Sequence, residues 1–314
     1  MSTFITTFES VAILLGIGLV GFYIIRRNMI PAKVLSMLSP LALEIALPSL
    51  IFVDIITDFT LEKYPNWWQI PLWWVFFTAV AAVFTFIFCQ ISKKKTKREF
   101  ALALFYQNGI FFPLAILSGM FGADSSYLIT LFLFTLFFPA FFFSTYSFFF
   151  PEKQRQKVNL KKIFHPVLIA TILAISLEYI GIRELVPNLV KDIFNMLGAM
   201  SLPLLMIILG GSIYADYKTQ GLKDIKEISK FVLVKNILFP LAFILILILI
   251  KPYVSYRIAL ILLLQAAVPP VTALPIVTER MKGNRTIVSQ FMVSSFILSL
   301  ISIPFMIYIF NIFF

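Results

Sequence analysis

Long apolar runs alternate along the chain with short segments rich in lysine and arginine. A helix that crosses a bilayer needs about 20 mostly apolar residues, so each run of that length predicts one membrane span. The pattern predicts ten spans, at residues 8–26, 34–57, 67–91, 100–122, 125–150, 163–182, 193–215, 231–250, 258–278 and 286–312. The predicted fold class is therefore an all-α polytopic membrane protein.

The composition of the 314-residue chain agrees with this pattern, because 60% of the residues are hydrophobic and only 13% are charged. A soluble domain of this length needs more polar surface. The single cysteine and single histidine argue against a disulfide framework and a histidine-based metal cluster, so we expect neither a metal nor another cofactor. The sequence has no nucleotide-binding loop, zinc-protease motif or recognisable catalytic triad, so we do not expect an enzyme.

The basic residues are concentrated in every second loop, beginning with the loop that follows the first predicted span. These loops hold most of the 26 lysine and arginine residues, with clusters near 93–98, 153–162 and 218–230. Cytoplasmic loops of membrane proteins carry such an excess, so we expect a multi-pass protein of the plasma or inner membrane with both termini outside. The net charge of +11 then requires no nucleic acid as a partner.

Five predicted spans lie on each side of Lys157, and an odd number in each half requires the two halves to insert with opposite topology. We therefore expect two inverted five-helix repeats, residues 1–157 and 158–314, within one integral membrane unit. Short echoes between the halves support the duplication. Leu47-Pro48 recurs as Leu202-Pro203, and Gln107 in the fourth span has a counterpart, Gln265, in the ninth.

The fourth and ninth spans are interrupted by glycine and proline, in the stretches Gln107-Asn108-Gly109 to Pro113 and Gln265 to Pro269-Pro270-Val271-Thr272. Proline removes a backbone donor and opens the helix, and open backbone at membrane depth is tolerated mainly where it lines a cavity or packs on protein. A half-helix that begins at Pro113 or Pro270 would offer free N–H groups to an anion. Interruptions at matching positions favour a transporter binding site over two packed kinks.

At these residues the chain resembles the auxin efflux carrier family, which includes plant auxin exporters and bacterial malate and malonate permeases. The resemblance extends to Leu47-Pro48-Ser49-Leu50 in the second span and to Ala266-Ala267-Val268-Pro269-Pro270 in the ninth. It implies ten helices of the bile-acid-symporter and sodium/proton-antiporter type, with helices 4 and 9 broken and crossing. It also implies an anionic substrate beside Asn108, Gly109, Pro113, Pro269 and Pro270. Many relatives place an asparagine where this chain has Ala266 and Ala267, so Gln265 or Thr272 becomes the candidate for that polar contact.

Three charged residues fall inside predicted spans, where such residues are costly and often functional. Glu44 lies in the middle of the second span and is expected either to couple a proton or cation or to make a structural hydrogen bond. Asp54, nearer the outer end, lines an outer vestibule or lies at the interface. Lys235 begins the eighth predicted span, so it either snorkels to the cytoplasm or faces the cavity and binds a carboxylate.

Together these features predict a secondary active or facilitative carrier of small organic anions, either dicarboxylates or auxin-like weak acids, that works by alternating access. H⁺ or Na⁺ is the expected coupling ion where there is one, and a homodimer through a face such as the Phe-rich 132–150 is also considered. Two alternatives stay open. One is a cation-coupled symporter or antiporter with Glu44 as the ion site, and the other is a non-transporting receptor or scaffold of the same fold.

Overall fold

A computed structural model describes residues 2–122, 126–151, 165–220 and 224–314. Over these residues the chain is helical, and the only pairing of strand type is an isolated bridge between Gln107 and Pro270. The α-helices are α1 (Ser2–Arg26), α2 (Lys33–Pro40), α3 (Leu47–Asp58), α4 (Ile70–Phe88), α5 (Lys97–Phe105), α6 (Phe111–Phe121), α7 (Ser126–Phe134), α8 (Phe138–Thr145), α9 (Pro166–Ile180), α10 (Asn188–Ala199), α11 (Ser201–Gln220), α12 (Ile225–Leu233), α13 (Phe239–Ile250), α14 (Tyr256–Ala267), α15 (Leu274–Arg280) and α16 (Arg285–Phe313). The basic cluster near 153–162, the predicted boundary at 157 and part of the cluster near 218–230 lie outside the described residues.

Seven helical segments of the described chain are long and apolar enough to cross a membrane. They are Phe4–Arg26, Lys33–Asp58, Trp67–Ile91, Ser126–Phe149, Asn188–Ala215, Ile225–Tyr253 and Arg285–Phe313. Four of them consist of two α-helices, with π-helical turns between α2 and α3 and between α12 and α13, and short turns between α7 and α8 and between α10 and α11. The helix α9 is shorter, and the predicted fourth and ninth spans are each divided in two, as α5 with α6 and α14 with α15.

The eighth predicted span begins earlier than the hydropathy pattern indicated, at Ile225 rather than 231. Its first turns are amphipathic, with Ile228 and Phe231 buried. Glu227 is buried as well, and its carboxylate accepts hydrogen bonds from the Thr96 hydroxyl at 2.9 Å and the Lys93 backbone N–H at 3.0 Å. A hydropathy window stops at such charged residues, whereas the helix continues because Oε1 of Glu227 accepts these hydrogen bonds and Oε2 lies 3.8 Å from Nζ of Lys230.

The Phe-rich stretch of α7 and α8 packs mainly inside the chain. Phe132, Phe134, Phe138 and Phe142 are each at most 7% exposed. Phe137 and Phe148 of the same stretch are 46% and 57% exposed, so a homodimer through this face stays a prediction.

Two close approaches of backbone to backbone join α1 to α11. A Cβ atom on Gly210 would overlap the carbonyl of Gly18, and a Cβ on Gly21 would overlap the carbonyl of Ile207. Small residues let membrane helices approach this closely, and the gain is in packing and not in hydrophobic burial. α1 also packs on α6 and α16, while α9 packs on α3 and α3 on α10. The interrupted segments lie beside α16, α4 and α7.

Candidate functional site

The breaks in the two interrupted segments meet and are hydrogen-bonded to each other. Between α5 and α6, the backbone N–H of Asn108 donates to the carbonyl of Pro269 at 2.8 Å. In return the N–H of Val271 donates to the carbonyl of Tyr106 at 2.9 Å. These bonds surround the bridge between Gln107 and Pro270. Residues 106–110 and 265–271, which we call the junction, thus satisfy part of each other's open backbone.

The prolines determine which carbonyls of the junction need a new donor. In an α-helix the carbonyl of residue i accepts from the N–H of residue i+4, and proline has no N–H. Pro113 therefore cannot donate to the carbonyl of Gly109, and Pro270 cannot donate to that of Ala266. A buried carbonyl without a donor costs about 1–3 kcal/mol, so other groups are expected to take the place of the missing N–H.

Gln265 supplies the donor that Pro113 lacks. Its Nε2 donates to the carbonyl of Gly109 at 2.7 Å, and its Oε1 accepts from Nε2 of Gln107 at 3.2 Å. Gln265 is fully buried, and a Cβ atom on Gly109 would overlap its Oε1. A side chain at 109 would therefore have to displace the Gln265 amide, which fills that space from the other segment.

Lys235 supplies the donor that Pro270 lacks. Its Nζ donates to the carbonyl of Ala266 at 3.1 Å and lies 5.0 Å from the ring centroid of Phe239. Lys235 is 0% exposed, within a π-helical turn at Val234–Leu238. The interpretation that it snorkels to the cytoplasm was wrong, because the helix begins at Ile225 and carries Lys235 into its interior. No carboxylate among the described residues forms an ion pair with it.

Asn108 is a junction residue whose side-chain amide has an unused hydrogen-bond donor. It is 1% exposed, and its Nδ2 has no hydrogen-bond partner among the described residues. Buried polar groups in folded proteins nearly always have a partner, so this amide requires an explanation. A ligand acceptor is one such explanation, and the backbone of Asn108, which is held by Pro269, fixes where that acceptor would sit.

The two half-helices begin elsewhere than the prolines alone suggested. α6 begins at Phe111 and α15 at Leu274, so neither Pro113 nor Pro270 is the first residue of its half-helix. Pro113 lies in the first turn of α6, where proline is tolerated. Gly109 lies before that helix, so neither the helix nor Pro113 offers a donor to the Gly109 carbonyl. Thr272 is half-buried in the turn before α15. Pro113 therefore permits a helix start and leaves the Gly109 carbonyl open to Gln265.

Glu44 and Asp54 are not part of the junction. Glu44 lies in a π-helical turn at Leu41–Ala46, is exposed, and lines a cavity of about 380 Å³ formed with residues of α3, α9 and α10. None of the lining residues belongs to the junction. Asp54 is half-buried on α3. The structure thus brings together Gln107, Asn108, Gly109, Gln265, Pro269 and Pro270, with Lys235 attached through Ala266, and keeps the two acids apart from them.

Two buried carboxylates that were not predicted from the sequence brace the segments around the junction. Glu227, described above, holds the loop before α5. Glu99 on α5 is 1% exposed, pairs with Arg98 at 2.5 Å and accepts from the backbone N–H of Asn284, at the start of α16, at 3.1 Å. Both residues stand near helix ends in basic loops, so the sequence alone made them look like solvated charges.

Several long apolar helices, with two interior breaks that are hydrogen-bonded to each other, define a multi-pass membrane protein. The model of a family described as "Membrane transport protein" matches residues 6–160 and 150–307. The chain therefore belongs to this family of membrane transporters, the auxin efflux carrier family that its motifs resemble. No curated protein matches the chain.

Proposed function

We propose that the protein is a carrier of small organic anions, dicarboxylates or auxin-like weak acids, and that the anion binds at the junction. The observation that carries the proposal is the Asn108 amide, a buried donor without an acceptor. A carboxylate oxygen is a strong acceptor for such a donor. Gln107, Gly109, Pro113, Pro269, Pro270 and Thr272 would then shape or line the site.

Lys235 supports an anionic substrate. A basic side chain at full burial with only a carbonyl partner is costly, and an anion that binds next to it offsets that cost. Lys235 and Asn108 both bond to the same segment, since Ala266 and Pro269 belong to one break. One charged and one neutral donor would then serve a single carboxylate, by the stronger type of hydrogen bond.

The proposed architecture is ten crossings in two inverted repeats, residues 1–157 and 158–314, with the two broken helices crossing at the junction. Seven long helices, α9 and two interrupted segments agree with ten crossings. The first segment of each half packs on the second segment of the other half, because α1 contacts α11 and α9 contacts α3. Inverted repeats are expected to pack in this reciprocal way. Gln107 and Gln265, at matching places in the two halves, bond to each other. The basic loops would face the cytoplasm and both termini the outside.

One unequal pair of contacts supports alternating access. α1 packs on α6, where Ser10 lies against Gly119 and the Thr7 hydroxyl is 3.5 Å from Sδ of Met120. In the other half, the corresponding pair α9 and α15 has no comparable packing among the described residues. The contact between α1 and α6 is thus made, whereas its counterpart between α9 and α15 is not made in the described part of the chain. This difference fits a carrier that is closed on the face where α1 begins.

A second candidate function is cation-coupled symport or antiport with Glu44 as the ion site. The specific observation in its favour is that Glu44 is exposed to a cavity of about 380 Å³ rather than buried against a partner. H⁺ or Na⁺ would be the coupled ion, and Asp54 on the same helix segment would be a secondary candidate. A receptor or scaffold of the same fold, and a homodimer, are further proposals that the same assays separate.

Counterflow in proteoliposomes tests the carrier proposal. Proteoliposomes that contain the purified protein are loaded with unlabelled malonate or indole-3-acetate, and uptake of the radiolabelled compound is followed. Binding to the purified protein is measured in parallel. We expect exchange of at least one probe, and we expect Asn108→Ala to weaken its binding about tenfold to hundredfold, the value of one hydrogen bond to a charged group. Asn195→Ala, an exposed asparagine on α10, is the control. Binding without exchange would indicate a receptor, and unchanged affinity in Asn108→Ala would place the site elsewhere.

A further inference from the structure

We infer that Gln265 does not bind the substrate and is instead a positioning residue that keeps the Asn108 amide available for it. The inference rests on the proposed function, because it concerns the same site. The sequence alone made Gln265 a candidate substitute for the asparagine that relatives carry in the ninth span. The hydrogen bonds of the junction assign it a different role.

Gln265 is already occupied on both sides of its amide. Nε2 is bonded to the carbonyl of Gly109 and Oε1 to the amide of Gln107, and the side chain is 0% exposed. A substrate would have to break one of these bonds and enter a fully packed space. Asn108, between the two residues that Gln265 holds, has a free donor at the same depth.

The bond to Gly109 decides which donor remains free. Because Pro113 lacks an N–H, the carbonyl of Gly109 needs a side-chain donor at a buried position. Within the junction, Asn108 Nδ2 is the one buried side-chain donor that has no acceptor. If Gln265 were removed, the orphaned carbonyl and the unused amide would lie in adjacent residues, and local rearrangement would pair them. By satisfying Gly109, Gln265 leaves the Asn108 amide to the substrate.

The space beside Gly109 gives independent evidence that Gln265 is held in this position. Any side chain at 109 would occupy the place of the Gln265 amide oxygen. Gly109→Ala should therefore displace Gln265 and act on the site through it. A shortened residue at 265 should relieve that overlap, which gives a pair of variants that compensate each other.

The test is a double-mutant cycle on anion binding between Asn108→Ala and Gln265→Ala, with whichever of malonate and indole-3-acetate the wild type exchanges. We expect Gln265→Ala to weaken binding about as much as Asn108→Ala, tenfold to hundredfold. We expect Asn108→Ala to cost less than about threefold once Gln265 is already alanine. Gln265→Glu, which keeps the acceptor but loses the Nε2 donor, should behave like Gln265→Ala. Gln290→Ala, a buried glutamine of α16 outside the junction, controls for the loss of a buried amide.

Independent losses that multiply in the double variant would overturn the inference, because a residue of purely structural importance does not make Asn108 redundant. Wild-type affinity in Gln265→Ala would also overturn it. Both of these results leave the proposed function intact, whereas no effect of Asn108→Ala in the wild-type background contradicts the proposed function itself. If Gln265→Ala does not fold, the thermal stability of Gly109→Ala with and without Gln265→Ser decides whether the two side chains share one space. Lack of rescue by Gln265→Ser would then refute the arrangement.

Discussion

Lys235→Met separates the effect of a buried basic side chain on protein stability from its effect on anion binding. Methionine has nearly the length and volume of lysine, so it should fill the same space between Phe239 and Ala266 without a cavity. The variant removes the charge-bearing Nζ and its bond of 3.1 Å to the Ala266 carbonyl. It also removes the cation–π contact of Nζ with the ring of Phe239, whose centroid is 5.0 Å away.

Two opposing effects determine the stability of this variant. The Ala266 carbonyl loses its donor, and Pro270 cannot replace it, which costs about 1–3 kcal/mol. Against this, a fully buried basic group with no ion pair carries an unfavourable desolvation energy of roughly several kcal/mol. We therefore expect the variant to be as stable as the wild type or more so. Anion binding, by contrast, should fall about tenfold to hundredfold, because a charge-assisted hydrogen bond of about 1.5–3 kcal/mol is lost.

The assay measures thermal unfolding in detergent and anion binding on the same preparations. Lys226→Met, an exposed lysine at the start of the same segment, is the matched control and should change neither quantity by much. Unchanged or higher stability together with weaker anion binding in Lys235→Met would support a role of Lys235 in binding the anion. Wild-type affinity in Lys235→Met, or a loss of stability well above about 3 kcal/mol with affinity retained, would refute the reasoning and make Lys235 a structural donor to the break.

Three further variants test other parts of the molecule. Gly119→Leu should hold α1 and α6 apart at Ser10 and slow counterflow at least tenfold while anion binding persists. Gly16→Leu, whose side chain would meet open space, is the control and should exchange normally. Normal exchange in both variants would contradict the assignment of the closed face. Gly210→Ala should lower stability by about 1–3 kcal/mol through overlap with the Gly18 carbonyl, with Gly16→Ala as the control in the same melting assay. Glu44→Gln should abolish the dependence of uptake on a proton or sodium gradient while exchange continues, and an unchanged gradient dependence would return Glu44 to a structural role.

The positions of the helix breaks could be predicted from the sequence because they follow from missing backbone donors. Pro269 and Pro270 exclude a continuous ninth helix, and the structure ends α14 at Ala267 and resumes at Leu274. The fourth segment is likewise interrupted around Gly109, between Phe105 and Phe111. The family was recognised from the same short motifs, and the family match confirms it.

The depth of Lys235 could not be predicted in the same way. Mean hydropathy falls at Lys226, Glu227 and Lys230, so a hydropathy window starts the span after them and leaves Lys235 at its edge. The structure extends the helix back to Ile225 because Oε1 of Glu227 accepts hydrogen bonds from the loop before α5, more than a hundred residues away in sequence. Contacts of this range carry no local signal.

The amino-acid sequence does, however, identify the carbonyls that need a donor, even though it does not identify the donors. A proline at position i+4 leaves the carbonyl of residue i without its helical donor, so Pro113 and Pro270 indicate Gly109 and Ala266, and Pro269 indicates Gln265 in the same way. In the fold the carbonyls of Gly109 and Ala266 receive Gln265 Nε2 and Lys235 Nζ. Both donors come from the second half of the chain, so the first half's break is completed by the second. The first half's break is therefore completed only in the assembled junction. In our proposal, the polar side chains that look like ligands in the sequence then divide into Gln265, which holds the backbone, and Asn108, whose amide is left for a substrate.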